Sequence, residues 1–139
     1  MSKKEIILMM INKLLFLPYR WGGNDPMEGF DCSGGIYEIL RSIDLIPNGD
    51  YTAQGIYDIM KKDCSYNFGF GTLLFFGDKL ITHVAIALNE NFMFEFGSGG
   101  SDTISIEVAS KRNAYGRIRP IKHRRDLLYS IYPKGIDNE

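Results

Sequence analysis

The chain has 139 residues, with sixteen Lys and Arg, seventeen Asp and Glu, and a formal net charge of -1. Hydrophobic residues make up 45% and charged residues 24%, which excludes an intrinsically disordered chain and fits one domain over residues 1–139. The balanced charge predicts no nucleic-acid or membrane partner, and two cysteines are too few for a disulfide-stapled scaffold. We therefore expect a monomeric globular domain.

The first half of the chain predicts helices. Apolar residues recur every three or four positions over residues 3–17, which is typical of an amphipathic helix that ends before a proline. Residues 19–31 are rich in Gly, Asn, Asp and Pro and predict a fixed loop. A second helix is expected to begin at Cys32 and to stop by Pro47. Residues 52–61 predict a third, shorter helix with a threonine N-cap.

From residue 72 onward, β-branched and aromatic runs separated by turn residues predict a meander of antiparallel strands. Helices followed by strands are typical of an α+β fold in which the helices pack on one face of an antiparallel sheet. We expect residues 124–139 to form a loosely held tail. The predicted strands cover residues 73–76, 82–88, 91–96 and 103–108, with a further strand at 117–121.

Cys32 stands at the predicted first turn of the second helix, where unpaired backbone N–H groups and the helix dipole favour a thiolate. A thiolate nucleophile needs a histidine partner, and the chain has two, His83 and His123. His83 opens an apolar strand that can present its ring rigidly, whereas His123 stands among basic residues. Glu95 on the next strand could hold the ring as the third member of a triad.

The residues around Cys32 resemble a known motif. The segments Tyr19-Arg20-Trp21-Gly22-Gly23 and Gly29-Phe30-Asp31-Cys32-Ser33-Gly34 are similar to the nucleophile motif of the NlpC/P60 family of papain-like cysteine peptidases, which cut bacterial cell-wall peptides. The resemblance continues through His83-Val84-Ala85-Ile86 and covers roughly residues 14–120. It implies a papain-like fold with helices packed on an antiparallel sheet and the nucleophile at a helix N-terminus.

By the family's pattern, Cys32 is the nucleophile, His83 is the base, and the third polar residue falls twelve positions after the histidine, at Glu95. The family more often has His, Asn or Gln at the third position. A carboxylate there would hold His83 more strongly as an imidazolium. Gly35 stands where the family commonly has a bulky apolar residue, which predicts looser packing of the second helix.

The resemblance also implies substrate contacts by Tyr19, Trp21, Asp31 and Ser33. Tyr19 would help to line the cleft, and Asp31 could meet the amino terminus of the substrate. Two of these residues have an equally good structural explanation. Asp31 could instead cap the helix, and Trp21 could pack the loop.

The sequence thus predicts a cysteine peptidase or amidase that hydrolyses an amide bond in peptidoglycan stem peptides through a thiol acyl-enzyme, with no cofactor and no metal. The main alternative is a catalytically silent papain-like domain that serves as a binding module or a phage structural module, because Glu95 is unusual and no secretion signal is found. Acyl transfer on a lipid is less favoured, because histidine precedes cysteine in the lipid-directed relatives.

The start of the chain predicts neither a signal peptide nor a transmembrane segment. Glu5 opens its apolar stretch, Asn12 interrupts it, and no run approaches the roughly 18 apolar residues of a membrane span. We expect a protein made in the cytoplasm that reaches cell-wall peptides by phage lysis, virion delivery, dedicated secretion or import of the peptides. Residues 111–134 carry eight basic side chains against one acid and predict a solvated surface.

Overall fold

The computed structural model describes residues 1–17, 24–25, 29–65, 69–97 and 115–137. None of the helices in these ranges is long and apolar enough to cross a membrane. The α-helices in these ranges are α1 (Lys3–Leu14), α2 (Cys32–Ser42) and α3 (Ala53–Met60). The strands are β1 (Asn24–Asp25), β2 (Gly29–Phe30), β3 (Cys64–Ser65), β4 (Leu73–Gly77), β5 (Ile81–Ala87), β6 (Phe92–Gly97), β7 (Tyr115–Pro120) and β8 (Leu127–Pro133).

The α+β prediction is confirmed. Within the described residues, six strands form one antiparallel sheet in the order β3-β8-β4-β5-β6-β7. Strands β4, β5 and β6 are the first three strands of the expected meander, and β7 is the further strand expected at 117–121. Strand β1 pairs with β2 in a separate small ladder just before α2. The strand predicted at residues 103–108 lies outside the described residues.

Strand β8 corrects the prediction of a loose tail at residues 124–139. It lies between β3 and β4, so both of its edges are paired. Ile131 and Tyr132 are buried, and so is Ile136 in the 3-10 turn that follows. The sequence of β8 has no strict alternation of polar and apolar residues, which is the pattern that predicts a half-buried strand. In the structure, the neighbours Tyr129 and Ser130 are both exposed.

Helix α1 begins with a capping box between Ser2 and Glu5. It ends at Leu14, three residues before the predicted end. The chain leaves the helix there because the Phe16 N–H donates to the Gly116 carbonyl at 2.7 Å, and the Gly116 N–H donates to the Leu17 carbonyl at 2.8 Å. The sequence gives no sign of this pairing, since its partners are about 100 residues apart.

The two faces of the sheet pack differently, because alternate residues of a strand point to opposite sides. The helix-side core includes Ile36, Ile39, Ile56, Phe75, Val84, Ile86, Phe94 and Phe96. The far-side cluster, on the face away from the helices, consists of Leu74, Phe76, Ala85, Ala87 and Met93. By the same alternation, His83 and Glu95 belong to the far-side face.

A β-bulge lies at the start of β5. Phe76 pairs with His83, but the next residue, Gly77, pairs with Ile81, so Thr82 is the extra residue. Ile81 packs in the helix-side core, although strict alternation would place it on the same face as His83. The bulge therefore lets Ile81, the first residue of β5, pack in the helix-side core while His83 faces the far side.

Gly35 makes the contact of α2 with the sheet close, which corrects the expectation of looser packing. A Cβ at Gly35 would lie 2.4 Å from Cδ2 of the fully buried Phe96 ring. A Cβ at Gly116 would lie 3.0 Å from Cζ of the same ring. The missing side chains form a slot for Phe96, which fixes β6 against the helix that begins at Cys32.

We expect Gly35→Ala to destabilise the protein by about 1–3 kcal/mol, because the new methyl group overpacks the Phe96 slot. Urea unfolding followed by circular dichroism measures this change. Gly55→Ala is the matched control in α3, where a Cβ would make only ordinary contacts, with Thr52 Oγ1 at 3.4 Å and with Tyr51 Cδ1 and Cβ at 3.6 and 3.8 Å. That variant should gain about 0.5–1 kcal/mol from helix propensity. A Gly35→Ala protein as stable as the Gly55→Ala protein would contradict the slot.

Candidate active site

Cys32 is the first residue of α2, and Asp31 is its N-cap. Oδ1 of Asp31 accepts the Gly34 N–H at 2.6 Å and the Ser33 hydroxyl at 3.2 Å. This cap fixes the first turn, where free backbone N–H groups favour a negative charge on the Cys32 sulfur. The sulfur is partly exposed and lies 3.9 Å from the carbonyl oxygen of the bulge residue Thr82.

His83 and Glu95 form a buried pair on the far-side face. Nε2 of His83 lies 2.7 Å from Oε1 of Glu95, and the two residues are 7% and 2% exposed. An ionised carboxylate only accepts hydrogen bonds, so Nε2 carries the proton in this contact. The other ring nitrogen, Nδ1, is then the one left for Cys32. The three residues are thus linked in the order Cys32, His83, Glu95.

The electrostatics of the pair favour an imidazolium. Burial alone would lower the pKa of His83, but hydrogen bonds to Cys32 and Glu95 and the attraction of both anions raise it to about 9. Burial would likewise raise the pKa of Glu95, but the hydrogen bond and the charge of His83 lower it. A doubly charged pair at neutral pH is therefore the stable form of this site.

The ring of His83 is covered on one side by an aromatic ring, and an arginine lies over that aromatic ring. The Phe76 ring lies 5.6 Å from it, centroid to centroid. The guanidinium of Arg124 lies 5.1 Å from the centroid of the Phe76 ring. Arg124 is held by two hydrogen bonds to Asp126, at 2.9 Å from Nε and 2.7 Å from Nη2. These layers keep water from one side of His83 and place a positive charge near Glu95.

The second carboxylate oxygen of Glu95 has its own surroundings. Oε2 lies 3.6 Å from Nε of Arg119, whose side chain is 18% exposed. A Cβ at Gly97 would lie only 2.8 Å from the same oxygen. At the other end of the Arg119 guanidinium, Nη1 donates a hydrogen bond to Nε2 of His123. The carboxylate therefore fits a gap that a larger residue at position 97 would close.

The structure brings together some of the predicted site residues. Cys32, His83 and Glu95 meet, while His123 contacts Arg119 instead. Asp31 caps the helix, as one of its two interpretations expected, and Ser33 is buried with its hydroxyl on Asp31 rather than in a cleft. The predicted contact residues at positions 19 and 21 lie outside the described residues.

Sequence reasoning missed the cations around Glu95. In the register of β6 and β7, Arg117 lies opposite Glu95 and Arg119 lies opposite Met93. Both arginines therefore belong to the far-side face. Their spacing of two residues was a signal that they lie on one face of a strand. The register of β7 against β6 could not be predicted, because no local sequence pattern determines how two strands joined through residues 98–114 align.

A metal site finds no support among the residues that the structure describes. No group of three or more His, Cys, Asp or Glu side chains in those ranges is arranged to hold an ion. Cys32, His83 and Glu95 are instead linked in series by hydrogen bonds. That arrangement fits a nucleophile, a base and an orienting group.

Comparisons with known proteins identify relatives. The model of the NlpC/P60 family matches residues 17–124. A bifunctional muramidase/DL-endopeptidase of Bacillus subtilis, CwlT, is 33% identical over 110 residues, which are 73% of this chain and 32% of the relative. The probable peptidoglycan endopeptidase LytE of the same organism is 28% identical over 81% of this chain and 31% of its own length. The chain spans about a third of both relatives.

Solved structures share the fold. An NLP/P60 family protein of Staphylococcus aureus matches with a TM-score of 0.65 and 24% identity over 94% of this chain and 41% of its own. RipD of Mycobacterium tuberculosis, described as a non-catalytic NlpC/p60 domain protein adapted to peptidoglycan binding, matches with a TM-score of 0.70 and 15% identity over 96% and 98% of the two chains. From the family match over most of its length, we conclude that the chain belongs to the NlpC/P60 family.

Proposed function

We propose that this chain is a cysteine-type hydrolase that cuts an amide bond in the stem peptides of bacterial peptidoglycan. The observation that carries the proposal is the linked series of Cys32, His83 and Glu95, with the sulfur at a capped helix N-terminus and the ring held by a buried carboxylate. The substrate class is supported by the relatives named as peptidoglycan or DL-endopeptidases. Membership of the family alone does not supply activity, since RipD is described as non-catalytic.

The first step is attack by the thiolate of Cys32 on the carbonyl carbon of the scissile amide. The new S–C bond places a negative charge on the carbonyl oxygen. The backbone N–H of Cys32, in the first turn of α2, stabilises that charge together with a second donor. His83 then gives the proton on Nδ1 to the leaving nitrogen, the C–N bond breaks, and a thioester remains on Cys32.

The second step is hydrolysis of the thioester. His83, now neutral, takes a proton from water as the hydroxide equivalent attacks the thioester carbon. The S–C bond breaks, the carboxylic acid product leaves, and the thiolate and imidazolium are restored. Glu95 keeps its hydrogen bond to Nε2 through both steps, so it orients the ring and stabilises its positive form.

We assign the substrate contacts from the family resemblance. We assign Tyr19 and Trp21 to the cleft beside the sulfur, and Asp31 to the free amino group of the substrate. Ser33 acts on Asp31, because its hydroxyl donates to Oδ1 at 3.2 Å.

A non-catalytic domain is the second candidate function. It is favoured by Glu95, since the family more often has His, Asn or Gln at this position. Reactivity of the Cys32 sulfur separates the two candidates without any substrate, since a silent domain needs no ionised sulfur.

We expect wild-type protein to release new amino termini from purified peptidoglycan, and Cys32→Ser and His83→Ala to release less than about 1% as much, because each removes a group that makes or breaks bonds. Mass spectrometry of the soluble muropeptides measures the release and identifies the bond. Cys64→Ser is the matched control and should keep wild-type activity. Equal release by all four proteins would reject the proposal.

We expect Cys32 in the wild type to react with iodoacetamide at pH 6.5 at least about tenfold faster than in His83→Gln, because the imidazolium stabilises the reactive thiolate. Peptide mapping assigns the label to Cys32 or Cys64. Labelling of Cys32 at the same rate in both proteins would favour the non-catalytic domain.

The rate of hydrolysis should fall as pH rises through about 9, because His83 then loses the proton that it gives to the leaving nitrogen. Glu95→Gln removes an anion that stabilises the imidazolium, so it lowers the pKa of His83 and moves this alkaline limb to lower pH. A profile of kcat/KM against pH for both proteins tests the prediction. An alkaline limb that stays in place or moves up in Glu95→Gln would show that the carboxylate does not act on the ring.

A further inference from the structure

A glutamate as the third residue of the site needs more support from its surroundings than a neutral side chain would. A neutral amide or imidazole could hold the His83 ring with one hydrogen bond, but a buried carboxylate must be kept charged and must present one particular oxygen to the ring. Only Oε1 contacts His83, at 2.7 Å. Rotation of the carboxylate or its departure toward another cation would leave the ring without its partner, so the second oxygen also needs a partner.

Arg119 is placed to hold that second oxygen. Its Nε lies 3.6 Å from Oε2 of Glu95, and its side chain is largely buried. The gap beside Gly97 lets the carboxylate lie between the arginine and the ring, because a Cβ there would come within 2.8 Å of Oε2. His123 accepts a hydrogen bond from Nη1 and so fixes the other end of the guanidinium.

Two other arginines near Glu95 also make contacts with aromatic rings or with a carboxylate. Arg124 makes its two hydrogen bonds to Asp126 and lies over the Phe76 ring. Arg117 lies over the ring of Tyr115, with its guanidinium carbon 5.1 Å from the ring centroid. The charges of both arginines also lower the pKa of Glu95. The ion pair of Arg119 is made with Oε2, the oxygen that is not hydrogen-bonded to His83.

We propose that Arg119 is a positioning residue of the active site, which holds the Glu95 carboxylate aimed at His83 across the gap at Gly97. This inference rests on the proposed function and adds a fourth residue to its machinery. Arg119 acts through Glu95 and touches no reacting atom.

Kinetics of the muropeptide reaction give the first test. Arg119→Gln should lower kcat about tenfold, because a loosened Glu95 misplaces the ring, and should leave KM within about twofold. Arg119→Lys keeps a cation and should retain kcat within about threefold. In a Glu95→Gln background, where no carboxylate remains to be held, Arg119→Gln should change kcat by less than about twofold.

The matched control is Arg125→Gln, which removes an equal charge from an exposed position on the same segment and should behave as the wild type. The inference is overturned if Arg119→Gln keeps wild-type kcat, raises only KM, or lowers kcat equally in the wild-type and Glu95→Gln backgrounds. The first two outcomes would mean no role or a substrate contact, and the third a role independent of the carboxylate.

A spectroscopic test needs no substrate, so it also decides the case in which even the wild type digests no peptidoglycan and the proposed function fails. The Nε2 proton of His83, which is shared with a buried carboxylate, should give a downfield proton resonance that exchanges slowly with water. Arg119→Gln should speed this exchange at least about fivefold, while Arg119→Lys and Arg125→Gln should not. Unchanged exchange in Arg119→Gln would overturn the inference. Should that variant fail to fold, fast exchange in Arg119→Lys would do so.

Discussion

The buried contact between His83 and Glu95 is the constraint on which the site depends. Each of these side chains would cost several kcal/mol to bury as an isolated ion, so each is stabilised by the opposite charge of the other. Together they form a pair at 2.7 Å, and because the pKa of His83 is raised to about 9 the ring keeps both of its protons at neutral pH. The ring has one nitrogen left, and the capped start of α2 brings the sulfur of Cys32 to it. The chemistry proposed for the chain uses the proton on that nitrogen.

The scaffold around the pair consists of close approaches that larger residues would prevent. Phe96, next to Glu95 on β6, lies in a slot formed by Gly35 of α2 and Gly116 of β7. The slot ties the strand that carries Glu95 to the helix that begins at Cys32. The bulge at Thr82 directs His83 to the far-side face while Ile81 remains in the helix-side core. Small shifts at any of these contacts would move the ring relative to the sulfur.

Much of this arrangement could be predicted from local sequence patterns. Helix periodicity, N-caps and turn residues predicted the three helices and the meander, and the motif around Cys32 pointed to His83 and Glu95. The rest depends on contacts between distant residues. Strand β8 pairs with β4, some 50 residues earlier, so residues 124–139 looked like a tail. Gly35 is explained only by the Phe96 ring. Likewise, Arg119 reaches Glu95 through a β6–β7 register that local patterns do not determine.

The central claim is that His83 is an imidazolium held between a thiolate and a carboxylate. Nitrogen-15 NMR of the histidine ring, followed over pH in protein free of substrate, measures its protonation directly. The account predicts that the ring of His83 in the wild type keeps both protons at neutral pH and loses one near pH 9. It also predicts a lower midpoint in Cys32→Ser, where no thiolate stabilises the cation. A His83 midpoint at or below the ordinary value of about 6.5 in the wild type would contradict the account.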